Sequence, residues 1–199
     1  MTASHPDAGL DALVLDARAG SGAAFTDLWR RLSPVVAGYV RGRGVRDAED
    51  VTSDVFLAAF RGLAGFDGDG AAFRRWLFTI AHHRAVDAVR RQTRTAGDVP
   101  LEADLADRRG GRARSAESEA LGRMTGEAAL RLVHGLPADQ RDVLLLRVVA
   151  DLPVEEVATV LERSADAVRQ LHRRALLRLR ELAADLGTLA DGVAAGGPR

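Results

Sequence analysis

The chain has 199 residues, 47% of them hydrophobic and 28% charged, and its 28 basic and 28 acidic side chains leave a formal net charge of zero. That composition excludes an intrinsically disordered chain and fits one large domain or two small ones. The absence of cysteine excludes disulfides and thiolate metal sites, and no stretch approaches the roughly 20 apolar residues that span a bilayer. Met1–Leu10 lacks the basic and apolar regions of a signal peptide, so a cytoplasmic chain without membrane insertion is expected. Every basic residue is Arg, aromatics make up 5%, and Ala, Leu and Arg dominate, a composition that favours helix over strand.

Taken in order, a short apolar-periodic segment over 9–19 (Leu10, Leu13, Val14, Ala17) ends at Gly20-Ser21-Gly22. The second helix carries Phe25, Leu28, Trp29, Leu32, Val36, Tyr39 and Val40 on one stripe, with Pro34 predicting a kink and Gly42–Gly44 ending it. The third, Asp47 to Gly62, has Val51, Val55, Ala58 and Ala59 on its apolar face, with Phe56 and Phe60 alongside. It begins with Asp47, Glu49 and Asp50, where the helix dipole favours anions. A Gly/Asp loop, 65–70, precedes a fourth helix over Ala71–Gln92 whose core is Phe73, Trp76, Leu77, Ile80, Ala81, Ala85, Val86 and Val89.

Periodicity then fails over 93–118, where Gly97, Pro100, Gly110 and Gly111 punctuate mixed charge. This predicts a flexible linker, with a transient helix over 101–106. Helices are expected again over 119–134 and Ala138–Val149, the latter central to a second core through Val143-Leu144-Leu145-Leu146. Pro153 opens a short helix to Leu161, and Ser164 N-caps a long one through Ala184. The expected fold is all-α, with a domain over 1–92, the linker 93–118, a helix-turn-helix domain over 119–186 and a disordered tail over 187–199.

Two segments concentrate positive charge despite the neutral total. Arg163 to Arg180 holds six Arg against Asp166, on the second helix of a helix-turn-helix, the element that enters the major groove. Arg169, Gln170, Arg173 and Arg174 are expected to face away from its apolar stripe, where Gln reads adenine and Arg reads guanine or phosphate. Arg74 to Arg94 holds six Arg, His82 and His83 against Asp87, with Phe73, Trp76 and Phe78 at its start. Its polar face suits unstacked, single-stranded bases, while the aromatics belong mostly to the core.

Other readings start from the same residues. His83 and Asp87, four apart beside His82, could share a metal in a His/Asp hydrolase, but His5, His134 and His172 lie elsewhere and too few ligands converge. Asp67-Gly68-Asp69-Gly70 lacks the closing Glu of a calcium loop. No metal, cofactor or catalytic residue is expected. A helix-turn-helix regulator acting on duplex operators without polymerase is the remaining alternative, one that has no need of the acidic 47–56 helix.

The run Ala48-Glu49-Asp50-Val51-Thr52-Ser53-Asp54-Val55-Phe56-Leu57 resembles the core-binding helix of bacterial sigma factors. So do Phe73-Arg74-Arg75-Trp76-Leu77-Phe78-Thr79-Ile80-Ala81 and Asp87-Ala88-Val89-Arg90-Arg91, followed by Leu136-Pro137-Ala138-Asp139-Gln140-Arg141 and 152–179. Their order, and a linker with no domain inserted, resemble the extracytoplasmic-function sigma factors. The resemblance implies that Glu49, Asp50, Asp54 and Phe56 dock on the β′ clamp helices of core RNA polymerase. It implies that Asp67, Asp69, Arg74, Arg75, His82, His83, Arg84, Arg90 and Arg91 serve the −10 element. Ser164, Ala167, Arg169, Gln170, His172, Arg173 and Arg174 would serve the −35 element, and apolar surface of the second domain would meet the β flap tip. An anti-sigma factor is a further partner the family implies. Ser53 stands where the family usually has Gln, and His83 where it usually has Asn. Asp87 and Arg90 match the family's Asp-x-x-Arg pattern, which at that spacing predicts an ion pair.

Overall fold

The structure is a computed structural model that describes residues 9–95 and 126–195, the side chains of 95 and 185–195 excepted. Its elements are α1 (Leu10–Arg18), α2 (Gly22–Gly42), α3 (Ala48–Gly62), a 3-10 turn (Leu63–Gly65) and α4 (Gly70–Thr95). Beyond these come α5 (126–134), α6 (Ala138–Val148), α7 (Val154–Val160) and α8 (Ala165–Ala195). No strand occurs among the described residues.

The first unit is built from stripes at helical spacing. Leu28, Leu32, Val36 and Tyr39 of α2 are buried, as are Val51, Val55, Phe56 and Ala59 of α3 and Phe73, Leu77, Ala81, Ala85 and Ala88 of α4. Each step of three or four residues returns a side chain to the same face, so three amphipathic helices close over one core. Burying each large apolar side chain contributes about 1.5–3 kcal/mol. α1 lies on α2 and α4 and completes the unit. α2 runs through Pro34 without a break. Its N-terminus is capped by Ser21, whose Oγ accepts a hydrogen bond from the Ala24 amide at 3.2 Å.

In the second unit α6 and α7 both pack on α8. Val143, Leu144, Leu145 and Leu146 are all buried, as expected of a helix apolar nearly all round. Arg141 holds the preceding turn, donating from Nε to the Val133 carbonyl at 3.2 Å and from Nη2 to the carbonyls of His134 at 2.7 Å and Leu136 at 2.9 Å. His134 ends α5, so its carbonyl is one that the helix would otherwise leave unsatisfied.

Two boundaries and one arrangement differ from the sequence expectation. α4 continues to Thr95, taking the first residues assigned to the linker; the rest of 93–118, with the helix expected over 101–106, lies outside the described residues. α8 continues to Ala195, taking 187–195 of the segment expected to be a disordered tail; 196–199 lie outside the described residues. Gly187 and Gly192 are the poorest helix formers there, and a glycine costs a helix about 1 kcal/mol where a proline costs about 3. The third difference is the largest: the two units are packed together. α2 meets α6 and α4 meets α7, and a single hydrophobic cluster runs through both units.

Candidate nucleic-acid interface

α7 and α8 form the expected helix-turn-helix. The turn is made by Glu162, which takes a left-handed φ of 53°, and by the Arg163 amide bonding back to the Ala158 carbonyl at 2.9 Å. Ser164 caps α8 through its Oγ, which accepts from the Ala167 amide at 3.2 Å. Val168, Leu171 and Ala175 face the core. At about 100° per residue the opposite face presents Gln170, Arg173 and Arg174, and all three are exposed.

The other candidates on α8 are placed differently. Arg169 is exposed but paired, to Asp166 at 2.7 Å within α8 and to Glu155 of α7 at 3.0 Å. It therefore ties the two helices together. The Ser164 hydroxyl is committed to its cap, and Ala167 is half-buried. His172 is half-buried too, and burial, with the Arg147 charge second, holds its imidazole below the usual range.

α4 divides the second Arg cluster between faces. His83, Arg84, Asp87, Arg90, Arg91 and Arg94 are exposed along one side. Arg74 lies nine residues from His83, about 180° around the helix; it is buried and donates to the Ala150 carbonyl at 3.3 Å. Arg75 is half-exposed and pairs with Glu156 of α7 at 3.7 Å. Neither lies on the exposed face that carries His83, Arg84, Arg90 and Arg91, although the sequence reading had grouped all six for the −10 element. His82 is half-buried and shares a hydrogen bond of 2.9 Å with the Tyr39 hydroxyl. Burial pushes its pKa down to about 4, aided by the charges of Arg43 and His83, so at neutral pH it is an uncharged core partner. Asp87 and Arg90 are both exposed, and the structure records no ion pair between them. Side chains one turn apart on an exposed face gain little from pairing.

The loop before α4 is held from both ends. Asp69 Oδ1 accepts from the Ala72 amide at 2.8 Å, capping α4, and Asp67 pairs with Arg18 at 3.3 Å. Behind it, Phe66 stacks on Trp76 with ring centres 5.0 Å apart, and Phe73 is fully buried. A Cβ at Gly62 would lie 2.8 Å from the Trp76 ring, so glycine is what lets α3 end against that indole.

α3 presents Glu49, Asp50, Ser53 and Asp54 on one exposed face. Glu49 pairs with Arg41 at 3.0 Å. Phe56 is 1% exposed and sits against Trp29, with ring centres 4.6 Å apart; it belongs to the core. The apolar groups on the acidic face are Leu57 and Phe60, 47% and 57% exposed. Leu57 follows Ser53 by four residues and Asp54 by three, and Phe60 follows Leu57 by three, a spacing that puts both on the acidic face. Among the described residues no three His, Cys, Asp or Glu side chains group as metal ligands; the rings of His82, half-buried, and His83, exposed, lie 5.9 Å apart. No helix among them is long and apolar enough to cross a membrane.

Residues 28–95 match the Sigma-70 region 2 family and residues 132–181 match Sigma-70 region 4. The first match lies within the first helical unit, from inside α2 to the end of α4, and the second within the second unit, from the end of α5 into α8. The chain is 34% identical to the ECF RNA polymerase sigma factor ShbA of Streptomyces griseus, over 87% of this chain and 95% of that protein. It is 33% identical to the ECF RNA polymerase sigma factor SigD of Mycobacterium tuberculosis, over 86% and 82%. Among solved structures, CnrH in complex with the cytosolic domain of CnrY superposes with a TM-score of 0.66 at 25% identity, covering 89% of this chain and 99% of that one. RpoE from Bartonella quintana, solved with the anti-sigma factor NepR, shares the fold with a TM-score of 0.62 at 20% identity, covering 80% and 96%. A stand-alone helix-turn-helix regulator is set aside, because the first unit matches a sigma region in its own right. With both sigma regions present in order and relatives matched along most of their length, the chain belongs to the extracytoplasmic-function (ECF) family of RNA polymerase sigma factors.

Proposed function

We propose that this sigma factor divides promoter recognition between two Arg-bearing faces and reserves a third face for the polymerase. Gln170, Arg173 and Arg174 of α8 read the −35 element as duplex, with Arg169 bracing α7 against α8. His83, Arg84, Arg90 and Arg91 of α4 follow the opened −10 strand, beside the loop that Asp67 and Asp69 hold in place. The α3 face of Glu49, Asp50, Asp54, Leu57 and Phe60 docks on the β′ clamp helices, and the exposed Leu176 and Leu177 of α8 are offered to the β flap tip. The chain contributes binding energy and no catalytic group of its own, and it works where the bacterial polymerase does, in the cytoplasm. CnrH was solved with the cytosolic domain of CnrY, which supports a protein that sequesters this chain as well.

The observation that carries the reading is the separation of the exposed Arg residues onto two helices, one of them the second helix of a helix-turn-helix. Nine such residues, four on α4 and five on α8, make an electrostatic footprint that the neutral total charge conceals. Run-off transcription with core polymerase and a pool of promoters tests it. Transcripts from a defined subset of promoters are expected, and none above core polymerase alone would overturn it.

A further inference from the structure

The loop before α4 is fastened to α1 at both ends. Gly70 is buried, and its amide donates to Asp11 Oδ1 of α1 at 2.7 Å. At the other end the Arg18 guanidinium meets Asp67 at 3.3 Å. Asp11 and Arg18 are seven residues apart, close to two full turns, so they lie on one side of α1 about 10 Å apart along its axis. The chain from Asp67 to Gly70 spans at most about 10 Å, so a single short helix reaches both ends of the loop.

The contact is close as well as polar. A Cβ at Gly70 would lie 2.6 Å from Leu10 Cβ and 3.0 Å from the Asp11 amide nitrogen, so the chain passes against α1 with no room for a side chain. Within the loop a Cβ at Gly68 would lie 2.8 Å from Ala72 Cβ and 2.9 Å from the Phe66 ring. α1 is itself firmly seated: Leu10 and Val14 are each 1% exposed and Ala17 is buried, one stripe at helical spacing. The region 2 match begins at residue 28, so α1 lies outside it.

The two fastenings differ in strength. The first amides of a helix have no partner within it. Asp69 takes the amide of Ala72, and Asp11 takes that of Gly70. The Asp11 bond joins a carboxylate to the amide of a buried residue, which makes it charge-assisted. The Asp67 side chain is 95% exposed, and an ion pair in water contributes little. Asp11 is therefore the principal tie.

We propose that Asp11 is a positioning residue for −10 recognition, an inference that rests on the two-face reading above. By holding Gly70 to α1 it fixes the loop against which the opened −10 strand lies, and so sharpens base selectivity without touching DNA. A loop free to take several conformations would have to be ordered at each binding and would accommodate more than one base, whereas a preorganised one discriminates.

Run-off transcription with core polymerase and the full chain is measured on promoters carrying each base in turn at every −10 and −35 position. Asp11→Ala removes the acceptor, and Asp11→Asn keeps an oxygen in its place without the charge. Asp11→Ala is expected to lower the preference for the best base at one or more −10 positions roughly 10-fold, the scale of one hydrogen bond to a charged group. Its −35 preferences and its co-purification with core polymerase should be unchanged, and Asp11→Asn should restore most of the −10 preference. Gly70→Ala, which forces a methyl group against Leu10, should lower the same preference. A role in stability alone lowers transcription from every promoter alike. Unaltered −10 ratios in Asp11→Ala and Gly70→Ala, or ratios as low in Asp11→Asn as in Asp11→Ala, overturn the tie and leave the two-face reading standing. An unchanged chain that shows no base preference at −10 overturns that reading and the tie with it.

Discussion

Replacing Arg173 by Ala is the sharpest test of the recognition face. Arg173 is exposed on the side of α8 opposite Val168, Leu171 and Ala175, so its loss leaves the packing untouched and should change stability by no more than about 0.5 kcal/mol. If its guanidinium reads a base edge, the variant loses about 1–3 kcal/mol of binding, roughly 5- to 150-fold, at promoters with the matching −35 base and much less elsewhere. If it meets only phosphate, the loss is uniform across sequences and the salt slope falls by about 0.9. Arg169→Ala behaves differently, because Arg169 is already held by Glu155 and Asp166. Its loss should loosen α7 against α8 and lower the melting temperature of the second unit as well as promoter affinity. The assay is titration of the polymerase holoenzyme onto promoters with intact and scrambled −35 elements at two salt concentrations. Undiminished binding by Arg173→Ala at every promoter would refute the assignment of that face.

Other expectations follow from the same geometry. Asp50→Arg with Asp54→Arg reverses the charge of an exposed face and should abolish co-purification with core polymerase while leaving the circular dichroism spectrum unchanged; a retained complex counts against docking through α3. Phe73→Ala empties a fully buried site beside Phe66 and Trp76 and should cost about 3–5 kcal/mol in urea unfolding. A cost below about 1 kcal/mol would show that Phe73 is not a core anchor. His82 adds a pH dependence. Its folded pKa, about 4, lies below its ordinary value, so the unfolded chain takes up the proton first. Its contribution to stability is therefore complete above about pH 6.5 and is lost as pH falls toward 4. His82→Gln should flatten the urea midpoint between pH 6.5 and 5 relative to the unchanged chain, and parallel profiles would contradict the assignment.

Much of this molecule was legible locally. Helices announce themselves through a repeat of about 3.6 residues, so the stripes Leu28–Tyr39 and Phe73–Val89 marked their elements. Ser164 as a cap needed only its own hydroxyl and the amide three residues on. The two Arg clusters were equally plain, since charge of one sign along a helix is a property of sequence. What a helix turns toward its neighbours was harder to read. Arg74 and Arg75 belonged to a basic run, yet the helical turn sets Arg74 opposite His83 and leaves it buried against Ala150. Phe56 stood in an acidic face and turned inward, leaving Leu57 and Phe60 outside.

The sequence by itself determined that this is an all-helical chain of two sigma regions, because periodicity, caps and charge act over one or two turns. Only the tertiary structure decided how the two regions meet. Arg43 and Asp142 are 99 positions apart, and Gly42 and Gly38 of α2 gain their meaning from Leu145 and Val149. No local pattern encodes such a pairing, since a side chain's burial depends on which distant surface folds back to cover it.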